Sequence, residues 1–300
     1  MAALDAFADR LLRHEPLAKY TAARLGGPAD LLYRARESLE ELAAVVRAAW
    51  TDGVPVRVLG GGANVLVSDD GVPGLVVINH VSHIDIGEDC SVTAASGTSL
   101  TILARRCAAA GLTGFEWAIS VPGTVGGAVV NNAGAHGGDM AASVRQVLVL
   151  EPDSDQPRTM SPADLAYGYR TSSLKARIDR RFLVLSARLQ FERGDPEAIA
   201  SRMEANIAHR KRTQPQGASL GSIFKNPPGD FAGRLIEAAG LKGYQIGGAQ
   251  VSPVHANFFI NRRSATAADY FQLIEHVRAV VLRETGVELE LEIETLGQWS

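Results

Sequence analysis

The chain has 300 residues, 46% of them hydrophobic and 21% charged, with a formal net charge of −3 and only two cysteines. That length accommodates one large domain or two or three small ones sharing a cleft. The near-neutral balance gives no electrostatic reason to expect a nucleic acid or an anionic membrane as partner. Cys90 and Cys107 form no C-x-x-C pair, which argues against a zinc site or iron–sulfur cluster and fits a reducing compartment, so no metal is expected. Asp5, Asp9, Arg10, Arg13 and Glu15 break up any signal-peptide core, and no apolar run approaches the ~18–20 residues that span a bilayer. The expectation is a cytoplasmic protein acting on small molecules. Nothing in the sequence sets its oligomeric state; a monomer fits.

Residues 1–18 read as a short amphipathic helix followed by a loop. A turn-rich stretch, Tyr20-Thr-Ala-Ala-Arg-Leu-Gly-Gly-Pro-Ala-Asp30, leads into a strand over 30–34. Ser38 and Glu41 form a capping box, and Leu39, Leu42, Val46 and Ala49 then recur at helical spacing. Alternating Val54, Val56 and Val58 predict a strand that runs into Gly60-Gly-Gly-Ala-Asn64, with another strand over 65–67. Short strands follow over 75–78, 91–95, 147–150 and 182–189, interrupted by a helix over 99–110 that Gly111 stops. Asp195-Pro196 opens a helix whose face carries Ile199, Met203 and Ile207; its basic end, His209-Arg-Lys-Arg212, reads as a solvated terminus favoured by the dipole. Two more helices are expected over 230–239 and 266–283, the second burying Tyr270, Ile274, Val277 and Val281. The chain closes on Val287-Glu-Leu-Glu-Leu-Glu-Ile-Glu-Thr295, a strand by its period of two, with four glutamates on one face. Like charges so placed repel unless solvated, and solvation accounts for three of the four.

Two glycine-dense stretches stand out. Val121-Pro-Gly-Thr-Val-Gly-Gly-Ala-Val-Val-Asn-Asn-Ala-Gly-Ala-His-Gly-Gly138 is too apolar to be a linker. It reads either as backbone shaped to wrap a ligand with exposed N–H groups or as a tight hairpin or bulge. Gly60–Asn64 follows a strand as a phosphate-binding turn does, but no helix pattern follows it and it lacks a P-loop lysine. Together the two suggest clamps on one long phosphate-bearing cofactor such as a dinucleotide. Three polar turns accompany them: Tyr167-Gly-Tyr-Arg-Thr-Ser-Ser-Leu-Lys175, Gly217-Ala-Ser-Leu-Gly-Ser-Ile-Phe-Lys-Asn-Pro227, and Gly247–Phe258 with His255 and Asn257. Ser222 lacks a G-x-S-x-G elbow, so it is no hydrolase nucleophile and by itself reads as a turn hydroxyl. By default His255 and Asn257 are satisfied structural residues.

Taken in order, Arg24-Leu-Gly-Gly27, Leu59-Gly-Gly-Gly-Ala-Asn64, Val121-Pro-Gly-Thr-Val-Gly-Gly-Ala128 with Asn132-Ala-Gly134, Tyr169-Arg-Thr-Ser172, Gly221-Ser-Ile-Phe-Lys-Asn-Pro227, Leu235-Ile-Glu-Ala-Ala-Gly-Leu-Lys-Gly243 and Leu289-Glu-Leu-Glu-Ile293 resemble the UDP-N-acetylenolpyruvoylglucosamine reductase family, in its compact form. The resemblance runs over about residues 15–297. It implies an α+β chain: a two-subdomain FAD-binding fold of the PCMH/vanillyl-alcohol-oxidase type, here 1–70 and 71–199, plus an α+β substrate-binding domain over 200–300 that ends on a catalytic strand. It implies non-covalent FAD, reduced by NADPH, that passes hydride from N5 to C3 of UDP-N-acetylglucosamine enolpyruvate to give UDP-N-acetylmuramate for peptidoglycan. It places the cofactor on Leu59, Gly60, Gly61, Gly62, Ala63, Asn64, Val65, Val121, Pro122, Gly123, Thr124, Gly126, Gly127, Ala128, Asn132, Ala133, Gly134 and Arg170.

The same resemblance makes Arg170, Ser222 and Glu292 catalytic. Arg170 would grip the substrate carboxylate where negative charge develops. Ser222, polarised by neighbours such as Lys225, would protonate C2. Glu292 would hydrogen-bond the enol while protonated, its pKa raised by burial beside the substrate carboxylate. Tyr169, Lys225, Asn226 and His255 would hold the substrate, the last three near its diphosphate. The chain departs from the commoner pattern at Ala63, where serine is usual, at Asn131 for methionine, at His136 for tyrosine, and in the Gly217-Ala-Ser-Leu220 lead-in. An alcohol oxidase of the same flavin fold would carry a histidine for covalent FAD in the first loop, and residues 60–66 have none. A non-catalytic nucleotide-binding module would explain the glycine stretches but not Arg170, Ser222 and Glu292 together.

Overall fold

A computed structural model describes residues 2–299. The chain divides into two units. One holds the chain up to Leu12, Leu31–Gly61 and Gly74–Arg210; the other holds Arg13–Asp30, Gly62–Pro73 and the chain from Lys211 on.

The first unit contains two hydrophobic cores. In one, the strand Val56–Leu59 pairs in parallel with Val72–Asn79, Val56 opposite Leu75 and Leu59 opposite Ile78, and Pro28–Ala35 flanks that strand's other edge. The helix Leu39–Thr51 closes the core with Leu42, Val45, Val46 and Ala49, buried as their spacing predicts. The leucine and valine side chains contribute about 1.5–3 kcal/mol each. Ser38 caps the helix by accepting from the Glu41 N–H at 3.1 Å. Glu41 does not complete the expected box. Its carboxylate instead accepts from the Arg36 and Glu37 N–H groups and the Tyr33 hydroxyl, and pairs with Arg10. The N-terminal segment differs from its expected form: a 3-10 helix, Leu4–Arg10, precedes a strand, Leu12–Pro16. Asp52 holds the N–H groups of Ala3 and Leu4, and Leu4 is the side chain that buries, so one short anchored turn replaces an amphipathic helix.

The second core lies under an antiparallel sheet ordered Arg158–Met160, Val144–Leu150, Leu183–Gln190, Ser91–Ala95, Ile84–Ile86. The helix Leu100–Ala109 packs Leu103, Ala104 and Cys107 into it and ends before Gly111, whose φ of +67° reverses the chain without strain. The helix Pro196–Thr213 starts as predicted, Asp195 accepting from the Ala198 N–H at 3.0 Å. Ile199, Met203 and Ile207 face the same core, and Arg202 ties the helix to the buried carboxylate of Glu116 at 2.7 Å. Desolvation pushes the Glu116 carboxyl up, but Arg202, the Thr113 hydroxyl and the N–H groups of Glu116 and Gly114 together hold it below the usual carboxylate range.

In the second unit, Gln245–Ile246, Ala249–Val251 and Phe259–Asn261 form an antiparallel sheet. The helix Ala267–Thr285 packs against it through Tyr270, Ile274, Val277 and Val281, with the Tyr270 hydroxyl donating to the Phe259 carbonyl. Thr266 and Asp269 form a full capping box at its start, and Gly286 ends it at φ +72°. The C-terminal segment is not one continuous strand. Only Glu294–Leu296 forms a strand, parallel to Val65–Val67. Upstream, an isolated bridge joins Leu291 to Phe224. The segment changes partner between these two pairings, and a ladder cannot run through such a change. The alternation nonetheless sorts the side chains: Leu289 and Ile293 are buried, Glu288 and Glu290 exposed, Glu292 and Glu294 half-buried. Among the described residues no helix is long and apolar enough to cross a membrane, and no His/Cys/Asp/Glu group could hold a metal.

Candidate functional site

The two glycine stretches meet in the first unit. A Cβ on Gly60 would lie 2.2 Å from Thr124 Oγ1, so the first loop's bare backbone is what lets the second pack against it. Gly61 approaches Gly123, whose φ of +122° suits glycine and whose missing side chain would meet nothing within 4 Å. The stretch 121–138 is neither pure loop nor simple hairpin. Val125–Asn131 is a short helix, with Val125, Ala128 and Val129 buried, and Gly134–Ala135 pairs with Gly138–Asp139 in a tight hairpin. Gly126 packs its bare Cα against Ser96 and donates its N–H to the Ser96 carbonyl at 2.8 Å.

These residues fit a flavin dinucleotide. Glycine backbone at Gly123 and Gly127 borders open space or the protein surface. Ser120 Oγ, just before the segment, and Asn131 Oδ1, at the end of its short helix, are buried with no hydrogen-bond partner, as is the Tyr167 hydroxyl. A buried polar atom left unsatisfied costs about 1–3 kcal/mol, which a polar ligand offsets.

Arg170 is carried by a tight turn in which Gly168 and Thr171 exchange backbone hydrogen bonds at 3.1 and 3.2 Å. The turn places Arg170 at φ +55°, a conformation that non-glycine residues rarely hold and that clusters at functional sites. Three bonds fasten the turn to the glycine stretch. Arg170 Nη2 donates to the Gly134 carbonyl at 2.7 Å, Ser172 Oγ to the Val130 carbonyl at 2.6 Å, and Asn132 Nδ2 to the Gly168 carbonyl at 3.0 Å. The guanidinium also lies over the ring of the exposed Tyr169, 5.7 Å from its centroid. Asn132 is buried at φ +44°, and its Oδ1 accepts from the Ala141 N–H at 3.0 Å. Its side chain is therefore engaged by the protein, fixing Arg170 beside the second loop. Ser172, part of the motif but not singled out in the sequence, shares that task, and its type alone gave no signal of it.

Leu59, Val121, Pro122 and Ala133 also lie in the first unit, whereas Gly62–Val65, Ser222, Lys225, Asn226, His255 and Glu292 lie in the second. Gly62 is at φ +56° with its Cα against the Tyr20 carbonyl, and its own carbonyl accepts from the Ala22 N–H at 3.0 Å. Ala63, Asn64 and Val65 are half-buried. Ser222 lies on an extended segment bridged to Phe258 and pinned by Asn257. Asn257 is 2% exposed: its carbonyl accepts from Ile223 N–H, its Oδ1 from Phe224 N–H, and its Nδ2 donates to the Phe224 carbonyl at 2.8 Å. The structural role read for Asn257 is the one it has. The next residues along the segment are Lys225 and Asn226. Lys225 Nζ pairs with Glu290 at 2.6 Å, so polarising Ser222 through Lys225 requires this pair to open. Asn226 Oδ1 accepts from the Ala232 N–H, capping the helix Ala232–Ala238.

His255 Nδ1 accepts from the Asn257 N–H at 3.2 Å, which assigns the neutral ring its proton on Nε2. Burial pushes the ring's pKa below the ordinary 6.5, with Lys242 adding to the effect. The Glu292 N–H donates to the Ile223 carbonyl, one residue from Ser222. The Ser222 and Glu292 segments are thus joined directly, while Arg170 belongs to the other unit.

Residues 31–159 match the family model described as FAD binding domain, and residues 214–296 that described as UDP-N-acetylenolpyruvoylglucosamine reductase, C-terminal domain. The chain is 45% identical to the UDP-N-acetylenolpyruvoylglucosamine reductase of Synechococcus sp. (strain RCC307), over 97% of this chain and 95% of that protein. It is likewise 45% identical to the reductase of the same name from Moorella thermoacetica, over 96% and 94%. The crystal structure of UDP-N-acetylenolpyruvylglucosamine reductase from Thermus caldophilus superimposes with a TM-score of 0.80 at 36% identity, covering 96% of this chain and 98% of that one. The chain belongs to the UDP-N-acetylenolpyruvoylglucosamine reductase family.

Proposed function

We propose that the chain is a flavoenzyme that reduces UDP-N-acetylglucosamine enolpyruvate to UDP-N-acetylmuramate, a peptidoglycan precursor, with NADPH as co-substrate. The observation that carries this reading is the contact of the two glycine stretches in the unit where Arg170 is tied to Gly134. The spans 1–70 and 71–199 serve the cofactor and 200–300 the substrate. When bound, FAD would supply the two-electron chemistry, carrying hydride from NADPH to C3 of the enolpyruvyl group. Leu59–Val65, Val121–Ala128 and Asn132–Gly134 would hold it without a covalent bond. The cytoplasm is the compartment this chemistry assigns, and it suits two cysteines that stay free.

Arg170 binds the pyruvyl carboxylate. Its turn fixes it before substrate arrives, so little reorganisation opposes the charge that develops on that group. The Ser222 hydroxyl donates the proton to C2, held in position by Asn257 through the backbone of Ile223 and Phe224. Glu292, protonated, hydrogen-bonds the enol oxygen. Tyr169, Lys225, Asn226 and His255 bind the nucleotide-sugar portion, Lys225 exchanging its bond to Glu290 for one to phosphate.

The test separates the half-reactions. In Ser222→Ala, flavin bleaching by NADPH is expected at the unmodified rate, while reoxidation by substrate falls about 10²–10⁴-fold, the range for losing a positioned proton donor. Equal slowing of both steps would remove Ser222 from the proton-donor role.

A further inference from the structure

We infer that Asn64, in the first glycine loop, is a positioning residue for Glu292, acting through the Glu292 peptide unit. The inference rests on the catalytic reading of Glu292 given above.

It starts from the accounting of backbone groups where the C-terminal segment changes partner. Up to Leu291 the segment bonds to the Ser222 strand: the Lys225 N–H donates to the Glu290 carbonyl, and the Glu292 N–H to the Ile223 carbonyl, both at 2.8 Å. From Glu294 on it bonds to Val65–Val67, the Glu294 N–H donating to the Asn64 carbonyl at 2.9 Å. Glu292 and Ile293 lie between the two ladders, and the Glu292 carbonyl is among the backbone groups at that junction. A polar backbone group at such a junction needs a partner from elsewhere. Asn64 provides it, donating Nδ2–H to that carbonyl at 3.2 Å. Glu292 is thereby clamped at both ends of its own residue, at its N–H by the segment carrying Ser222 and at its C=O by the loop assigned to the cofactor.

Side-chain type matters here. Only an amide or similar donor at this position can reach the carbonyl while the same residue's backbone carbonyl receives the Glu294 N–H. The Asn64 amide is bonded to the Glu292 carbonyl, so comparing the two half-reactions separates this contact from the loop's part in holding the cofactor. A small displacement of an acid–base group relative to its substrate costs up to about 100-fold in rate, so the clamp acts on the proton step and not on hydride uptake from NADPH.

The test uses the FAD-loaded protein in anaerobic rapid mixing. Asn64→Ala and Asn64→Asp both delete the donor and keep the backbone carbonyl bonded to Glu294. Both are expected to reoxidise with substrate about 10- to 100-fold more slowly, a loss much larger than any in bleaching by NADPH. Glu292→Gln is expected to slow reoxidation too, and Asn64→Ala added to it should change the rate by less than about twofold, because coupled residues are not additive. Slowing of both half-reactions to the same extent would assign the Asn64 amide to the cofactor and not to Glu292, and overturn the inference. Unchanged reoxidation in both Asn64 variants, or effects that multiply in the double variant, would overturn it while leaving the role of Glu292 intact. A Glu292→Gln protein that reoxidises at full rate would overturn the catalytic reading of Glu292, and the inference with it.

Discussion

His255 illustrates how one hydrogen bond fixes a residue's behaviour. Its Nδ1 accepts from the Asn257 N–H, and burial lowers its pKa below 6.5. Protonation would place a second donor against that N–H. The unfolded chain therefore binds the proton more readily than the folded one, so stability is full above pH 6.5 and declines as pH falls from there towards the folded-state pKa. Burial lowers His80 and His136 in the same direction, so the total slope is shared. In His255→Asn the side-chain carbonyl can keep the bond to Asn257 without titrating. Denaturant midpoints at pH 7.5 and about 5 should then differ less than in the unmodified protein; an unchanged difference would remove His255 from the account. The sequence offered His255 as one histidine among seven, and nothing in its neighbours told which ring nitrogen would be occupied.

Among the elements, those with strong periodicity were legible and those built by close approach were not. Leu42, Val46 and Ala49, or Tyr270, Ile274, Val277 and Val281, announce a helix face because burial follows spacing. Gly126 and Gly127 hide the helix Val125–Asn131, since two adjacent glycines are poor helix formers held here by packing against Ser96. The period of two in the C-terminal segment told which side chains bury, but no pattern within it tells that its partner changes at Glu292. The contact between the glycine loops yields a prediction at this scale. Gly60→Ala forces a Cβ to within 2.2 Å of Thr124 Oγ1, whereas in Gly61→Ala the nearest atom, Gly123 Cα, is at an ordinary 3.5 Å. In thermal unfolding without added FAD, Gly60→Ala should cost about 1–3 kcal/mol and Gly61→Ala less than about 0.5 kcal/mol. Equal losses would mean that the loops do not depend on that contact.

At the scale of the molecule, the α+β character, the FAD-binding domain and the reductase C-terminal domain were legible because seven separate motifs occur in a fixed order. Individual residues within them were less so. Asn132 and Asn64 stand in cofactor motifs, yet their side chains hold Gly168 and Glu292 respectively. The division of the chain follows long-range pairing: the segments Arg13–Asp30 and Gly62–Pro73 belong with the distant chain from Lys211 on, through pairings such as Val65 with Glu294. Local pattern carries no record of such partners.

The central claim is that one protein accepts hydride from NADPH and returns it to an enolpyruvyl nucleotide sugar. An anaerobic absorbance titration tests it most directly: record the flavin bands of the FAD-loaded protein, add stoichiometric NADPH, then add UDP-N-acetylglucosamine enolpyruvate. The account predicts bleaching on NADPH and full recovery on the sugar, with one UDP-N-acetylmuramate formed per flavin. Bleached flavin that stays reduced until oxygen is admitted would contradict the assigned substrate, and a protein that takes up no FAD would contradict the account from its first step.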